Sequence, residues 1–241
     1  MSDAGDPIVP DEFQLRAIEA IDDGESVLVA APTGAGKTFV AEHAIDRALA
    51  QGRRAFYTTP IKALSNQKFR DFSARWGAGR VGLLTGDNAV NGSADLIVMT
   101  TEVLRNMIYV TSPNLAGLGV VVMDEVHYLA DPQRGPTWEE VIIHAPAGAQ
   151  LVGLSATVSN SEQLGEWIRA LRGPTRTVIE HERPVELRPL YLVADRSAPE
   201  DHLLPLLVDG RPNPEGHRFD AAPNTGHRGP GGQRRRRGRF A

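Results

Sequence analysis

The chain has no cysteine among its 241 residues. That excludes a disulfide framework and a thiolate zinc site, and it fits a reducing compartment. Its first residues, MSDAGDPIVPDEF, lack the basic segment and apolar core of a secretory leader, so no signal peptide is expected. Apolar runs are of strand length, short of the ~18 residues that suggest a membrane span. No membrane partner is expected, and a cytoplasmic location is the default. Net positive charge is also lacking, at −4 overall, except in residues 221–241, which hold six arginines and no acid. An acidic body with a basic tail hints at a nucleic-acid partner or a charged surface without establishing one. Hydrophobic content is 41%, enough for a real core.

Strand-like and helix-like runs alternate through residue 193. Helical spacing predicts helices over 11–21, 37–52, 61–76, 101–110, 138–145 and 161–171. Short apolar runs predict strands over 26–31, 54–59, 80–84, 95–100, 117–124, 149–156, 175–180 and 186–193. This alternation predicts an α/β fold, a mostly parallel sheet with helices on both faces. Such sheets bind ligands beyond the carboxyl ends of their strands. After Ala194 the composition turns to Pro, Gly and Arg, and residues 196–241 read as a disordered tail.

APTGAGKT (31–38) sits between a strand and a helix, where a phosphate loop belongs. The pattern G-x-x-x-x-G-K-[ST] is matched at Gly36, Lys37 and Thr38, with Ala31 in place of the first glycine. The loop Thr33, Gly34, Ala35, Gly36 can close backbone amides around phosphate oxygens, and the next helix N-terminus favours negative charge. Lys37 can reach the outer phosphates of ATP and Thr38 can ligate Mg2+. The alternative is a glycine-rich turn with an incidental lysine; the strand-to-helix setting argues against it. GVVVMDEVHYLA (119–130) is an apolar strand that ends in Asp124, Glu125 and His127. A buried carboxylate is costly unless paired or bound to metal. Beside a phosphate loop, Asp124 would hold the Mg2+ and Glu125 would orient or deprotonate water. The other reading is an acidic surface turn, and a lone histidine is more often packed or solvated than catalytic. Trp138, Glu139 and Glu140 read as structural: a helix anchor and two exposed acids.

APTGAGKT, DEVH and SAT (155–157), in this order, resemble motifs I, II and III of superfamily 2 DExH helicases. TTPIKALSNQKFRDF (58–72), LLTGD (83–87), MTTEVLRNM (99–107) and DEVHYLADPQRGPTWEEVI (124–142) are similar to the superkiller-like RNA helicases that work with RNA-decay machinery, and within these to the HelY type of actinobacteria. The resemblance covers about residues 10–193. It implies an N-terminal RecA-like phosphate-loop domain over 11–181, after a flexible 1–10, with 182–195 as a connector toward a second RecA-like domain. It further implies that Gln14 reads the adenine edge. Thr59, Pro60, Lys62 and Ala63, then Gly86 and Asp87, then Thr100, Thr101 and Glu102 would contact single-stranded or 3′-tailed RNA, with DNA as the rival strand. His127, Ser155 and Thr157 would couple nucleotide to RNA. Taken without the resemblance, Thr100 and Thr101 read as helix caps and Lys62 as a solvated lysine.

The family's activity needs two RecA-like domains, the second supplying arginines that stabilise the transferring phosphoryl group. GGQRRRRGRF (231–240) shares letters with the family's arginine motif but not its spacing. The chain therefore resembles the first half of a larger helicase, with slow or absent turnover by itself. The alternative is a module that only binds nucleotide or RNA. The arginine tail reads either as an RNA-holding arm or as sequence foreign to the family.

Overall fold

A computed structural model describes residues 9–156, 159–193 and 202–219. Thr157 and Val158, residues 1–8 of the segment expected to be flexible, and 194–201 and 220–241 of the connector and tail lie outside the described residues. Two compact units divide the chain, residues 1–185 and 186–241.

The first unit is built on eight strands: β1 (Ser26–Ala30), β2 (Arg54–Thr59), β3 (Val81–Leu84), β4 (Ala89–Val90), β5 (Leu96–Thr100), β6 (Leu118–Met123), β7 (Gln150–Ser155) and β8 (Thr175–Ile179). Their order across the sheet is β4-β3-β5-β2-β6-β7-β1-β8. Every pairing is parallel except β3 with the two-residue β4 at the edge. The interior strands SVLVA and LGVVVM are buried along their whole length, as expected of strands covered on both faces.

Among the described residues, six α-helices cover the sheet: α1 (Glu12–Asp22), α2 (Lys37–Ala50), α3 (Lys62–Trp76), α4 (Thr101–Tyr109), α5 (Gly135–His144) and α6 (Ser161–Arg172). Phe13, Ala17 and Ile21 of α1, Val40, Ala44 and Ile45 of α2, and Phe72 of α3 pack on one face. Leu104 of α4, Trp138 and Val141 of α5, and Ile168 of α6 pack on the other. Helix α5 starts three residues before the sequence-based start, at Gly135, because Pro136 suits a first helical turn, where its missing N–H is not needed. Trp138 is fully buried, in keeping with an anchor. Glu139 is exposed, but Glu140 is half-buried with Oε2 3.7 Å from Arg105 Nε, so the expectation of two exposed acids holds only for the first.

The second unit departs from the sequence-based expectation of an unstructured tail. Strand β9 (Leu190–Val193) pairs antiparallel with β10 (His202–Pro205), and β11 (Leu207–Val208) pairs with β12 (Arg211–Pro212). The physical reason is HLLPLLV (202–208), an apolar run embedded in a polar, Pro-rich surrounding. The unit boundary after Val185 also falls inside the expected 182–195 connector.

Candidate functional site

All of the motif residues that the structure describes in β–α connections follow carboxyl ends of strands. The phosphate loop follows β1, Asp124 and Glu125 follow β6, and Ser155 ends β7. These three strands are neighbours, with Ala30 opposite Ser155 and Met123 opposite Gly153. Thr59 ends β2, Gly86 and Asp87 follow β3, and Thr100 ends β5; Thr59 and Thr100 stand opposite each other. One edge of one sheet thus carries two groups of residues side by side.

In the first group the loop takes the shape that its glycines allow. Gly34 and Gly36 have φ of +89° and +81°, a region that side chains with a Cβ rarely adopt. At Gly36 a Cβ would also meet Gln14 Nε2 at 2.7 Å. Lys37 opens α2 and donates from Nζ to the carbonyls of Ala31 at 2.7 Å and Pro32 at 3.1 Å. Burial pushes its ammonium below the usual lysine range, while Glu125 and Asp124 oppose that shift. Those influences put one cation and two carboxylates within electrostatic reach of one another.

Asp124 is held at both oxygens. Tyr57 donates its hydroxyl to Oδ2 at 2.7 Å, and the Glu125 backbone N–H donates to Oδ1 at 3.0 Å. Burial, then the neighbouring Asp124 carboxylate, pushes the Tyr57 phenol well above its usual range, so it stays a donor. Glu125 sits at φ 56°, ψ 46°, the left-handed region. That conformation costs a non-glycine residue about 1–2 kcal/mol. It turns the chain at the strand mouth, where the 3-10 turn Val126–Ala130 begins. His127 Nδ1 is buried 3.2 Å from Glu125 Oε2, but is misaligned for a hydrogen bond. Ser155 donates its hydroxyl to Ala156 O at 2.8 Å, and its carbonyl accepts from the Ala31 N–H, tying β7 to the phosphate loop.

Gln14 braces α1 against the loop. Its Oε1 accepts from Asp11 N–H, half of a capping box, and its Nε2 donates to Gly36 O at 3.1 Å and Ala35 O at 3.4 Å. Both ends of this buried amide are thus used within the protein. The cleft beside it, about 570 Å³, is lined among others by Val9, Phe13, Gly34, Glu182 and Arg183.

The second group has buried hydroxyls and exposed tips. Thr59 Oγ1 donates to Ile61 O at 3.0 Å and lies 2.7 Å from Ser65 Oγ, while Thr101 Oγ1 donates to Thr59 O at 3.4 Å. Thr100 occupies the N-cap position of α4 but makes no side-chain cap bond, and Thr101 is fully buried. Pro60 is buried, Glu102 half-buried, and Lys62, Ala63 and Gly86 are exposed. Lys62 Nζ pairs with Asp87 Oδ2 at 3.0 Å. Hydrogen bonds from Lys62 and Thr85 hold the Asp87 carboxyl below the usual range.

Two residues absent from the sequence-based set belong to the site. Tyr57 holds Asp124, and Lys68 Nζ lies 3.0 Å from Thr38 Oγ1. A phenol in an otherwise buried strand, RAFYTT, signals that a partner is needed. Lys68 carries no comparable signal. Among the described residues there is no ready-made cluster of three metal-binding side chains. The oxygen donors at Thr38 and Asp124 are nonetheless of the hard type that magnesium takes, one or two from protein and the rest from phosphate and water. With glycines cradling the loop, the residues fit a magnesium-bound nucleotide. No described helix is long and apolar enough to cross a membrane.

Comparison with known proteins agrees with this geometry. A family model described as DEAD/DEAH box helicase matches residues 11–164. The chain is 58% identical over 190 residues to a protein named probable helicase HelY from Mycobacterium tuberculosis, covering 79% of this chain and 21% of that protein. It is 45% identical over 183 residues to the human exosome RNA helicase MTR4, covering 76% of this chain and 17% of that one. Among solved structures, Mycobacterium smegmatis helicase Lhr bound to single-stranded DNA and AMP-PNP superposes with a TM-score of 0.60 at 30% identity, over 72% of this chain and 26% of that one. The chain spans about a fifth of the length of the HelY relative.

Proposed function

This chain belongs to the DEAD/DEAH box helicase family, and on that premise we propose that it is the ATP-binding motor domain of a DExH RNA helicase. The family implies ATP use, usually with Mg2+. The observation that carries the reading is the placement of Lys37 after β1 and of Asp124 and Glu125 after β6 at the same edge of the sheet, within electrostatic reach of one another. Lys37 releases the Ala31 and Pro32 carbonyls and turns its ammonium to the phosphates. Thr38 and Asp124 would hold Mg2+ through their oxygens, and the ion would supply charge that neutralises the phosphates. Tyr57 and the Glu125 amide each occupy one Asp124 oxygen, so that carboxylate is fixed in orientation before any ion arrives. Glu125 accepts the proton of water on a carboxylate oxygen. Gln14 reaches the adenine edge by giving up its bond to Ala35 or Gly36. His127, Ser155 and Thr157 pass the nucleotide state to the RNA side.

RNA is the proposed strand because relatives such as MTR4 are named RNA helicases. Thr59, Pro60, Lys62, Ala63, Gly86, Asp87, Thr100, Thr101 and Glu102 would follow its backbone, which needs little sequence preference. Partners in RNA decay, a second RecA-like domain that donates arginines, and 3′-to-5′ movement belong to the same proposal. The DNA reading is favoured by one observation, the single-stranded DNA held by Lhr. Competition between RNA and DNA strands of one sequence decides between them. For the nucleotide site, a fluorescent ADP analogue with Mg2+ is titrated with the wild-type chain and with Lys37→Ala. Loss of binding in the variant is expected; equal binding would sink the assignment.

A further inference from the structure

Lys68 lies in the middle of α3, on a helix whose first turn belongs to the proposed RNA side. Its ammonium is nevertheless 3.0 Å from Thr38 Oγ1, on the nucleotide side. It also lies over two aromatic rings, 5.6 Å from the centre of Tyr57 and 5.8 Å from that of Phe72. Ring faces hold a cation while leaving its N–H donors free to point elsewhere. Glu42, the acid whose carboxyl feels Lys68, is paired with Arg75 at 2.8 Å. The lysine is therefore held by rings and by one hydroxyl, and that hydroxyl is the one assigned to the metal.

A hydroxyl oxygen has two lone pairs, so in stereochemical terms it can serve an ammonium and an ion together. Electrostatics opposes this, because a lysine charge and a divalent ion sharing one oxygen sit only a few ångströms apart. Tyr57, whose ring lies under the Lys68 ammonium, donates its hydroxyl to Asp124, the other proposed metal ligand. One aromatic residue of β2 and one lysine of α3 thus support both oxygen donors.

We propose that Lys68 is a positioning residue of the magnesium site: it holds the Thr38 hydroxyl in place while no cation is bound, and yields it when Mg2+ arrives. The magnesium requirement for nucleotide binding is then set partly by a residue of α3, outside the phosphate loop. The proposal rests on the assignment of Thr38 and Asp124 to Mg2+.

Lys68→Met tests it, since methionine keeps an apolar stem over Tyr57 and Phe72 and removes the charge. Binding of a fluorescent ADP analogue to the 241-residue chain is followed while Mg2+ is raised from zero. Without the competing ammonium, the Mg2+ concentration at half effect falls by about threefold or more, and metal-free binding weakens by a similar factor. Thermal unfolding reports whether the variant folds, and Lys68→Gln serves if the methionine variant does not. A purely structural lysine would leave the magnesium midpoint where it is in wild type, and that outcome overturns the proposal. Lys37→Ala run alongside separates the two failures. If it abolishes binding while Lys68→Met does nothing, only the role of Lys68 falls; if it binds normally, the nucleotide site itself is misassigned.

Discussion

Beyond β1, β6 and β7, the carboxyl edge of the sheet carries half-buried charges held by fixed partners. Beyond β2, β3 and β5, it carries hydroxyls packed inside and charges exposed outside. Asp124 is bound at both oxygens and Lys37 at two carbonyls. Lys62 and Asp87, by contrast, pair across open solvent, with side chains 54% and 68% exposed. The difference matches what each half would grip. A phosphate cluster with a metal needs few groups in fixed places, where low dielectric strengthens each interaction. A nucleic-acid backbone needs a surface of amides, hydroxyls and cations that water can reach.

The largest break in the comparison is expected at Glu125. Glu125→Gln should lower ATP turnover by about 10²–10⁴-fold while leaving nucleotide binding within about twofold. Phosphate release in a chimera carrying the remainder of HelY measures it, and unchanged turnover would remove Glu125 from the proposed chemistry. Gly36→Ala comes next. Its Cβ would meet Gln14 at 2.7 Å in a backbone conformation foreign to alanine, so both stability and nucleotide affinity should fall, by about 1–3 kcal/mol in stability. Strand binding without nucleotide should stay as it was, read by fluorescence anisotropy.

Tyr57→Phe touches the boundary between the halves. It removes one hydrogen bond to a carboxylate, worth about 1.5–3 kcal/mol at most, and leaves the ring packing on Phe72. The alkaline limb also changes. The folded Tyr57 pKa lies well above 10.0, so above that pH the unfolded chain sheds a proton that the folded chain keeps. Stability therefore falls as pH rises through that window. Urea denaturation at pH 9 and pH 11 should show a shallower fall in Tyr57→Phe than in wild type. The smallest effect is expected at Lys62→Ala. Thermal stability should not move, because exposed pairs contribute little. Strand affinity should drop a few-fold, and its salt dependence should become shallower by about 0.7 in log–log slope. An unchanged slope would take Lys62 out of the strand path.

The phosphate loop and the DEVH stretch were legible because each packs its chemistry into a few consecutive residues at a strand end. The six described helices of the first unit were legible from their periodicity and its seven parallel strands from their apolar runs, but the two-residue, exposed β4 was missed because it is neither long nor apolar enough to stand out. What joins these elements was not legible. The Tyr57–Asp124 contact spans 67 residues and the Lys68–Thr38 contact 30. The first depends on β2 lying beside β6, and the second on α2 and α3 packing on the same face of the sheet, neither of which periodicity encodes. Gln14 was expected at the adenine edge; its bonds to the phosphate loop and its use of both amide ends within the protein required coordinates to see. The β9–β10 pairing was missed because the Pro, Gly and Arg around HLLPLLV dominated the composition of that stretch.

The strand order has a consequence for how one half can sense the other. From β1 to β2 there are three inter-strand steps of about 4.8 Å each, so the phosphate loop and the Thr59 corner lie roughly 14 Å apart along the sheet. In physiological salt, exposed charges are screened within about 8 Å. A change of charge at the loop is therefore faint, through solvent, at the exposed Lys62. A mechanical, short-stepped route is at hand: the Asp124 N–H on the Thr58 carbonyl at 2.9 Å, then Thr101 on the Thr59 carbonyl. Such a route is insensitive to ionic strength. Salt should weaken the grip on a strand without loosening the link between strand and nucleotide.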